Sequence, residues 1–248
     1  ICHKCDGDYS LAFLSCVIIA ALGVLTSLGI GNCSAGNRAV QWPRLNPFAH
    51  HWETFCLMRQ NRQLFRCVFI NTYFWFFGTA TQLLMISYGQ EIIHCNDGEI
   101  GVIQAVLGIG IGIGTGCLGW ISKEKIRFGL IRPFGIAIAG LMLVLGLFPL
   151  AKWAVFALFG ILGFVGGIYQ LPASTAIQYF SPEGQRGQFI SATNALDGIS
   201  MLASAVFLML FSGVLHLAPN YVFVVLLYIM NVLFETSNRS IMVMIAYR

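Results

Sequence analysis

Five stretches of this chain carry no charged side chain: Asp8 to Arg38, Arg66 to Glu91, Glu99 to Lys123, Arg132 to Lys152, and Lys152 to Glu183. Each is long enough for the roughly 20 apolar residues that cross a bilayer as a helix. Beyond Arg186 only Asp197 and Glu235 interrupt the apolar tract before Arg239, and that tract is too long for one crossing. It divides at His216-Leu217-Ala218-Pro219-Asn220, a polar turn with a proline. Seven spans follow, near 10–32, 67–89, 99–121, 131–150, 153–179, 189–215 and 220–236. They must be helices, because lipid leaves no free backbone group satisfied. The alternating ten-residue segments of a membrane barrel are not present in the sequence. Composition agrees: 57% of the 248 residues are hydrophobic and 10% charged, against about 25% charged in a soluble domain.

The basic residues orient the spans. With the 33–66 connection inside, all but Lys4 and Lys152 of the 14 Lys and Arg residues fall on the inner side. Basic residues concentrate on the cytoplasmic side of membrane proteins. The net charge of +4 therefore reports orientation. No basic face with interleaved aromatics points to nucleic acid. The chain begins with Ile rather than Met, and its start is expected to lie upstream. Cys2-His3-Lys4-Cys5 is a lone CxxC without a second pair, and the eight cysteines imply no disulfide framework. No nucleophile and base pair, metal-ligand cluster or cofactor motif is legible, so neither enzyme chemistry nor a cofactor is expected.

One span, a long inner connection and six further spans divide the chain into three. Residues 1–32 form a membrane helix that ends a preceding half. Residues 33–66 form a cytoplasmic central loop, and 67–248 a six-helix membrane domain. Within the loop, Phe48, Trp52 and Phe55 fall at i, i+4 and i+7, which predicts a short amphipathic helix on the inner leaflet.

Polar residues inside spans are the site candidates, since they are costly in lipid and usually face a cavity or a partner. Asp197 is the one acid deep in its tract, and Thr193 and Asn194 can share its helix face. Asn71, Gln82 and Gln104 are the others, with Tyr73, Trp75 and Tyr169 as aromatic liners. The same polar residues would serve equally well as bonds between helices. Gly108, Gly112 and Gly116 have the spacing of a close-packing row, and Gly110 with Gly114 makes a second. Their run lacks the Lys-Ser/Thr ending of a nucleotide loop. Ser181-Pro182 predicts a capped surface turn before Arg186. Arg186 could pair there with Glu183 or with lipid phosphate. Lys123, Lys125 and Arg127 of the preceding inner loop could bridge helix ends in one conformation and release them in another, or simply anchor the topology.

Several segments resemble the second half of a major facilitator superfamily transporter. They are the inner loop Gly119-Trp120-Ile121-Ser122-Lys123-Glu124-Lys125-Ile126-Arg127-Phe128-Gly129, continuing to Gly135, and the stretch Pro172 to Met201 with Ser181-Pro182-Glu183-Gly184-Gln185-Arg186-Gly187-Gln188. Asn46-Pro47-Phe48 and Phe74-Trp75-Phe76 through Gln82 to Tyr88-Gly89 add to them. The likeness runs from about 46 to 235 and is strongest to the bacterial lysophospholipid transporter branch, some members of which are fused to acyltransferase and acyl-ligase domains. Two positions depart from that branch. It usually carries a basic residue where Gln188 stands and an amide where Asp197 stands. The resemblance implies an all-α membrane fold, a six-helix bundle plus one preceding helix, that works with a first half absent from this chain. It implies alternating access, with lysophosphatidylethanolamine as cargo, membrane lipids as surroundings and the bacterial inner membrane as location. In that scheme the headgroup sits in a polar cavity and the acyl chain extends between helices. A drug or small-solute carrier of the same fold, and a membrane anchor for acyltransferase domains that does not transport, are the alternatives.

Overall fold

The computed structural model describes residues 10–29, 47–122 and 126–229. Among them every regular element is helical. In order these are α1 (Ser10–Leu28), α2 (Pro47–Gln60), α3 (Arg62–Glu91), α4 (Asp97–Ser122), α5 (Ile131–Leu147), α6 (Lys152–Phe180), α7 (Arg186–Leu208) and α8 (Pro219–Ile229). A 3-10 turn, Phe128–Leu130, leads into α5, and a π turn, Met209–Val214, prolongs α7.

Hydropathy and length alone qualify α4, α5 with its leading turn, α6 and the extended α7 as membrane spans. At 30 residues α3 is longer than any of them. Asn71, Thr72, Thr79, Thr81 and Gln82 lower its hydropathy. The described parts of α1 and α8 are apolar but shorter. The last expected span, 220–236, is described only as far as Ile229.

One boundary and one buried face differ from the sequence reading. Helix α3 starts at Arg62, not 67, because Asn61 caps it. The Asn61 Oδ1 accepts from the backbone N–H of Gln63 at 3.1 Å and of Leu64 at 3.3 Å. Arg62 and Arg66 therefore belong to the first turns of the helix, where a long basic side chain still reaches the phosphate level. The predicted amphipathic helix exists as α2, but its buried side is not the aromatic one. Thr54 and Met58 are fully buried, while Trp52 is 67% exposed and Phe55 half-buried. The side chain of Phe48 lies outside the described residues.

Helix α6 is the hub and packs on α3, α4 and α5; α3 packs in addition on α7. The main core joins Phe77, Leu84 and Tyr88 of α3 to Met142 of α5, Phe159 of α6 and Phe223 of α8. A second core at the inner end holds Met58 of α2 against Leu64 and Val68 of α3, Ile177 of α6 and Phe189 of α7. The α2 helix is fixed further by Gln188, whose amide nitrogen donates to the Thr54 hydroxyl at 2.7 Å.

Glycine decides how α4 meets α6. A Cβ at Gly110 would collide with the carbonyl oxygen of Gly160, and one at Gly114 with that of Phe164. From the other side, a Cβ at Gly163 would meet the Leu107 carbonyl and one at Gly167 the Ile111 carbonyl. The two helices run parallel, backbone against backbone. The expected packing row of Gly108, Gly112 and Gly116 is therefore corrected: a Cβ at any of the three meets nothing within 4 Å. The seam uses the second row, Gly110 and Gly114, because those are the glycines that face Gly163 and Gly167.

Candidate functional site

Three helices bring polar side chains together in the membrane interior. Asp197 lies about 16 Å beyond the inner start of α7, at 1.5 Å per residue, and is 6% exposed. The side-chain N–H of Asn71 on α3 donates to Asp197 Oδ2 at 2.7 Å, and the Thr72 hydroxyl donates to Oδ1 at 2.8 Å. The side-chain N–H of Gln170 on α6 donates to Asn71 Oδ1 at 2.9 Å. Ser200, one turn along α7, has its hydroxyl 2.8 Å from the Asp197 carbonyl and 3.1 Å from the Thr72 carbonyl. The chain Gln170 to Asn71 to Asp197 is directional, because each amide uses its nitrogen toward the next acceptor. Among the described residues no basic side chain pairs with Asp197. Its carboxylate is held by neutral donors alone.

Beside this network is a cavity of about 430 Å³ walled by α3, α4, α5 and α6. Its lining is mostly apolar, with Phe74, Leu107, Ile111, Ile138, Met142 and Leu162 prominent. Gln170 and Tyr73 stand in the same wall, so the polar chain that ends at Asp197 begins on the cavity surface. The Phe74 and Tyr169 rings stack at 5.8 Å and hold α3 against α6 at this level.

The candidates separate accordingly. Asn71 and Asp197 join directly. Thr193 is buried, but its hydroxyl turns back to the Phe189 carbonyl at 2.9 Å. Asn194 is exposed, outside the network. Gln82 is exposed and lines the cavity, as do Tyr73, Trp75 and Tyr169. Gln104 is half-buried and touches neither network nor cavity. Gln170, Thr72 and Ser200 went unnoticed in the sequence. Gln170 had a signal, being an amide inside the charge-free tract of α6; Thr72 and Ser200 had none beyond their polarity.

At the inner face, residues 181–185 form the predicted turn, closed by Gln185 N–H to the Pro182 carbonyl at 3.1 Å. Gly184 takes φ +82° there, the left-handed conformation glycine adopts most easily. Pro182 opens this turn instead of the helix, which starts at Arg186. Glu183 and Arg186 are both exposed and form no ion pair with each other. Arg127 donates to the Ile121 carbonyl at 3.3 Å and so covers the inner end of α4. Lys123 and Lys125 lie outside the described residues. At the outer face Asn96 and Glu99 cap α4 reciprocally, both bonds at 2.9 Å. Glu99 also accepts from Lys152 of α6 at 2.7 Å. No cluster of metal-ligating side chains occurs among the described residues.

The Major Facilitator Superfamily profile matches residues 6–205. The chain belongs to this superfamily. It is a multi-pass membrane protein of a transporter family, with the all-α architecture that family has. The lysophospholipid transporter LplT of Photorhabdus laumondii subsp. laumondii is 23% identical over 203 residues, which is 79% of this chain and 50% of that protein. The superfamily chain described here thus spans about half the length of this curated relative. No solved structure matches it significantly.

Proposed function

We propose that this chain is the second half of a lysophospholipid transporter of the bacterial cytoplasmic membrane. In this reading residues 1–32 close a first half, 33–66 form the inner connection and 67–248 the second six-helix domain. The two halves would rock about a central site, opening it to each side in turn. The reading rests on one observation: the Gln170–Asn71–Asp197 chain starts at the wall of an apolar cavity. That arrangement answers the two demands of an amphiphile, polar contact for a headgroup and apolar surface for a hydrocarbon tail. The likeness to LplT supports the same cargo.

Asp197 would act as the charge-sensing end. Protonation turns one of its oxygens from acceptor into donor. A proton on Oδ1 would be donated to the Thr72 hydroxyl, which accepts as well as donates. A proton on Oδ2 would remove the acceptor of the Asn71 amide, which must turn to stay paired and would pass that turn to Gln170 at the cavity wall. The inner-loop cations Lys123, Lys125, Arg127 and Arg186 would meet lipid phosphate or the first half at the inner surface. An associated or fused acyltransferase would consume the delivered lysolipid.

The test is uptake of labelled lysophosphatidylethanolamine by cells expressing the complete gene product, beside an Asp197→Asn variant at equal expression. Uptake above the empty-vector control, lost in the variant, supports the reading. Correct insertion with no uptake rejects the lipid cargo and favours a small-solute carrier.

A further inference from the structure

Buried Gly166 and half-buried Gly78 differ from the glycines of the helix seam. Gly110, Gly114, Gly163 and Gly167 are explained by the α4–α6 seam, where any Cβ meets backbone. Gly78 of α3 and Gly166 of α6 are not. A Cβ at Gly166 would touch only the Phe74 ring, at 3.6 Å, an ordinary contact, and one at Gly78 meets nothing within 4 Å. Both line the 430 Å³ cavity. Their missing side chains leave space that packing does not require.

The cavity also has a direction. At its rim Gln82 is exposed, Ile111 is 39% exposed and Thr115 is half-buried. Ile138, Met142 and Leu162 on the opposite wall are buried. The space therefore runs from an open rim to a closed apolar floor. An apolar cavity of roughly 150 Å³ stays dry and takes up benzene. The present one is nearly three times larger and elongated: its α3 lining, Tyr73 to Gln82, extends about 13 Å along the helix axis.

We propose that this cavity is a blind slot for the single hydrocarbon tail of the cargo, and that Gly78 and Gly166 set the tail length it accepts. The proposal rests on the lysolipid reading above and goes beyond it by naming the tail site and the residues that measure it. Filling the slot from Gly166 shortens the space and selects against long tails. Headgroup contacts at Gln170 stay in place.

The experiment compares uptake of long-tailed and short-tailed lysophosphatidylethanolamine by the complete protein carrying Gly166→Ala, Gly166→Val or Gly166→Leu, at matched membrane levels. Uptake of the long tail should fall stepwise through the series, to about tenfold in Gly166→Leu, the scale on which apolar pockets discriminate by size. Uptake of the short tail should stay within about twofold of the parent on the same scale. Ile111→Trp, entering the same space from α4, gives the same pattern should Gly166→Leu fail to insert. Equal loss for both tails across the series, or no loss for either, overturns the slot while leaving lysolipid transport standing. No uptake of either tail by the unsubstituted protein rejects the transport reading itself, and the slot with it.

Discussion

Asn71 of α3 and Asp197 of α7, 126 positions apart in sequence, meet through a 2.7 Å hydrogen bond inside the bundle. Asn71 is spent on both sides: its nitrogen serves Asp197 and its oxygen serves Gln170. Leucine at 71 would leave Asp197 and Gln170 each short of a partner, and leucine at 197 would do the same to Asn71 and Thr72. A double-mutant cycle of N71L and D197L, read by unfolding in mixed detergent, should show a coupling of about 1 kcal/mol, since such bonds inside membranes range from ~0.6 to ~1.7 kcal/mol. A coupling near zero would mean that α3 and α7 are held by packing alone.

Asp197→Asn separates charge from hydrogen bonding. The amide is almost isosteric and still accepts at one oxygen, so the variant should insert and unfold much like the parent. Asp197 stands behind Asn71 and does not itself line the cavity. A proton, not the ammonium of a headgroup, is therefore the expected partner. D197N should cut uptake of lysolipids with and without an ammonium group to the same extent. Loss confined to the ammonium-bearing lipid would assign Asp197 to headgroup recognition instead.

The glycine seam gives a sharp contrast between adjacent turns. Valine at Gly114 must push against the Phe164 backbone, which cannot rotate away, whereas leucine at Gly112 enters open space. G114V should destabilise by about 3 kcal/mol, at or beyond the usual range for overpacking, and G112L by much less. Thermal unfolding of the purified complete protein in detergent measures both. Equal stability of the two variants would remove the seam as an account of the α4–α6 contact.

Helix α2 is tied to the inner ends of α3, α6 and α7 mainly by Met58 and Thr54. Met58→Ala should cost about 2–5 kcal/mol of that docking, the range for truncating a buried methionine. Thr54→Val removes one side-chain bond worth about 1 kcal/mol. Limited proteolysis of the inner connection should accelerate strongly in M58A and slightly in T54V. The reverse order would place the hold of α2 in its polar contact.

The outer pair Glu99–Lys152 joins the first turns of α4 and α6 with both side chains about a third exposed (32%). Exchange of the two residues, E99K with K152E, should recover the melting temperature lost in either single variant, and added salt should shrink the whole effect. Failure of the exchange to recover would show that the Asn96 cap, which the exchange breaks, carries the contribution.

Charge gaps coincide with the four helices α4 to α7 that are long and apolar enough to cross a membrane, because lipid excludes charge more strictly than it excludes any other property. The same criterion placed the start of α3 too late, since Arg62 and Arg66 are helical residues and the Asn61 cap marks the true end. Two overlapping rows of glycine offered two packing faces, and nothing local to α4 distinguishes them. The choice falls to Gly163 and Gly167, some fifty residues away in sequence. For the site, Asp197 and Asn71 were legible as lone polar groups in apolar tracts. Asn194 and Ser200, three residues either side of Asp197, are rotated to opposite flanks of it, and only the Ser200 flank meets α3.

The backbone contact between α4 and α6 has a mechanical side. Resistance to bending rises steeply with cross-section, so two helices fused along their main chains make one stiff girder in place of two rods. Ile111 and Leu162, on that girder, hold one side of the cavity at a fixed shape. Its other side includes α3, which meets α6 through the stacked Phe74 and Tyr169 rings and the Gln170–Asn71 hydrogen bond. Widening of the space then falls on α3 and α5, and α3 is the helix that carries Asn71.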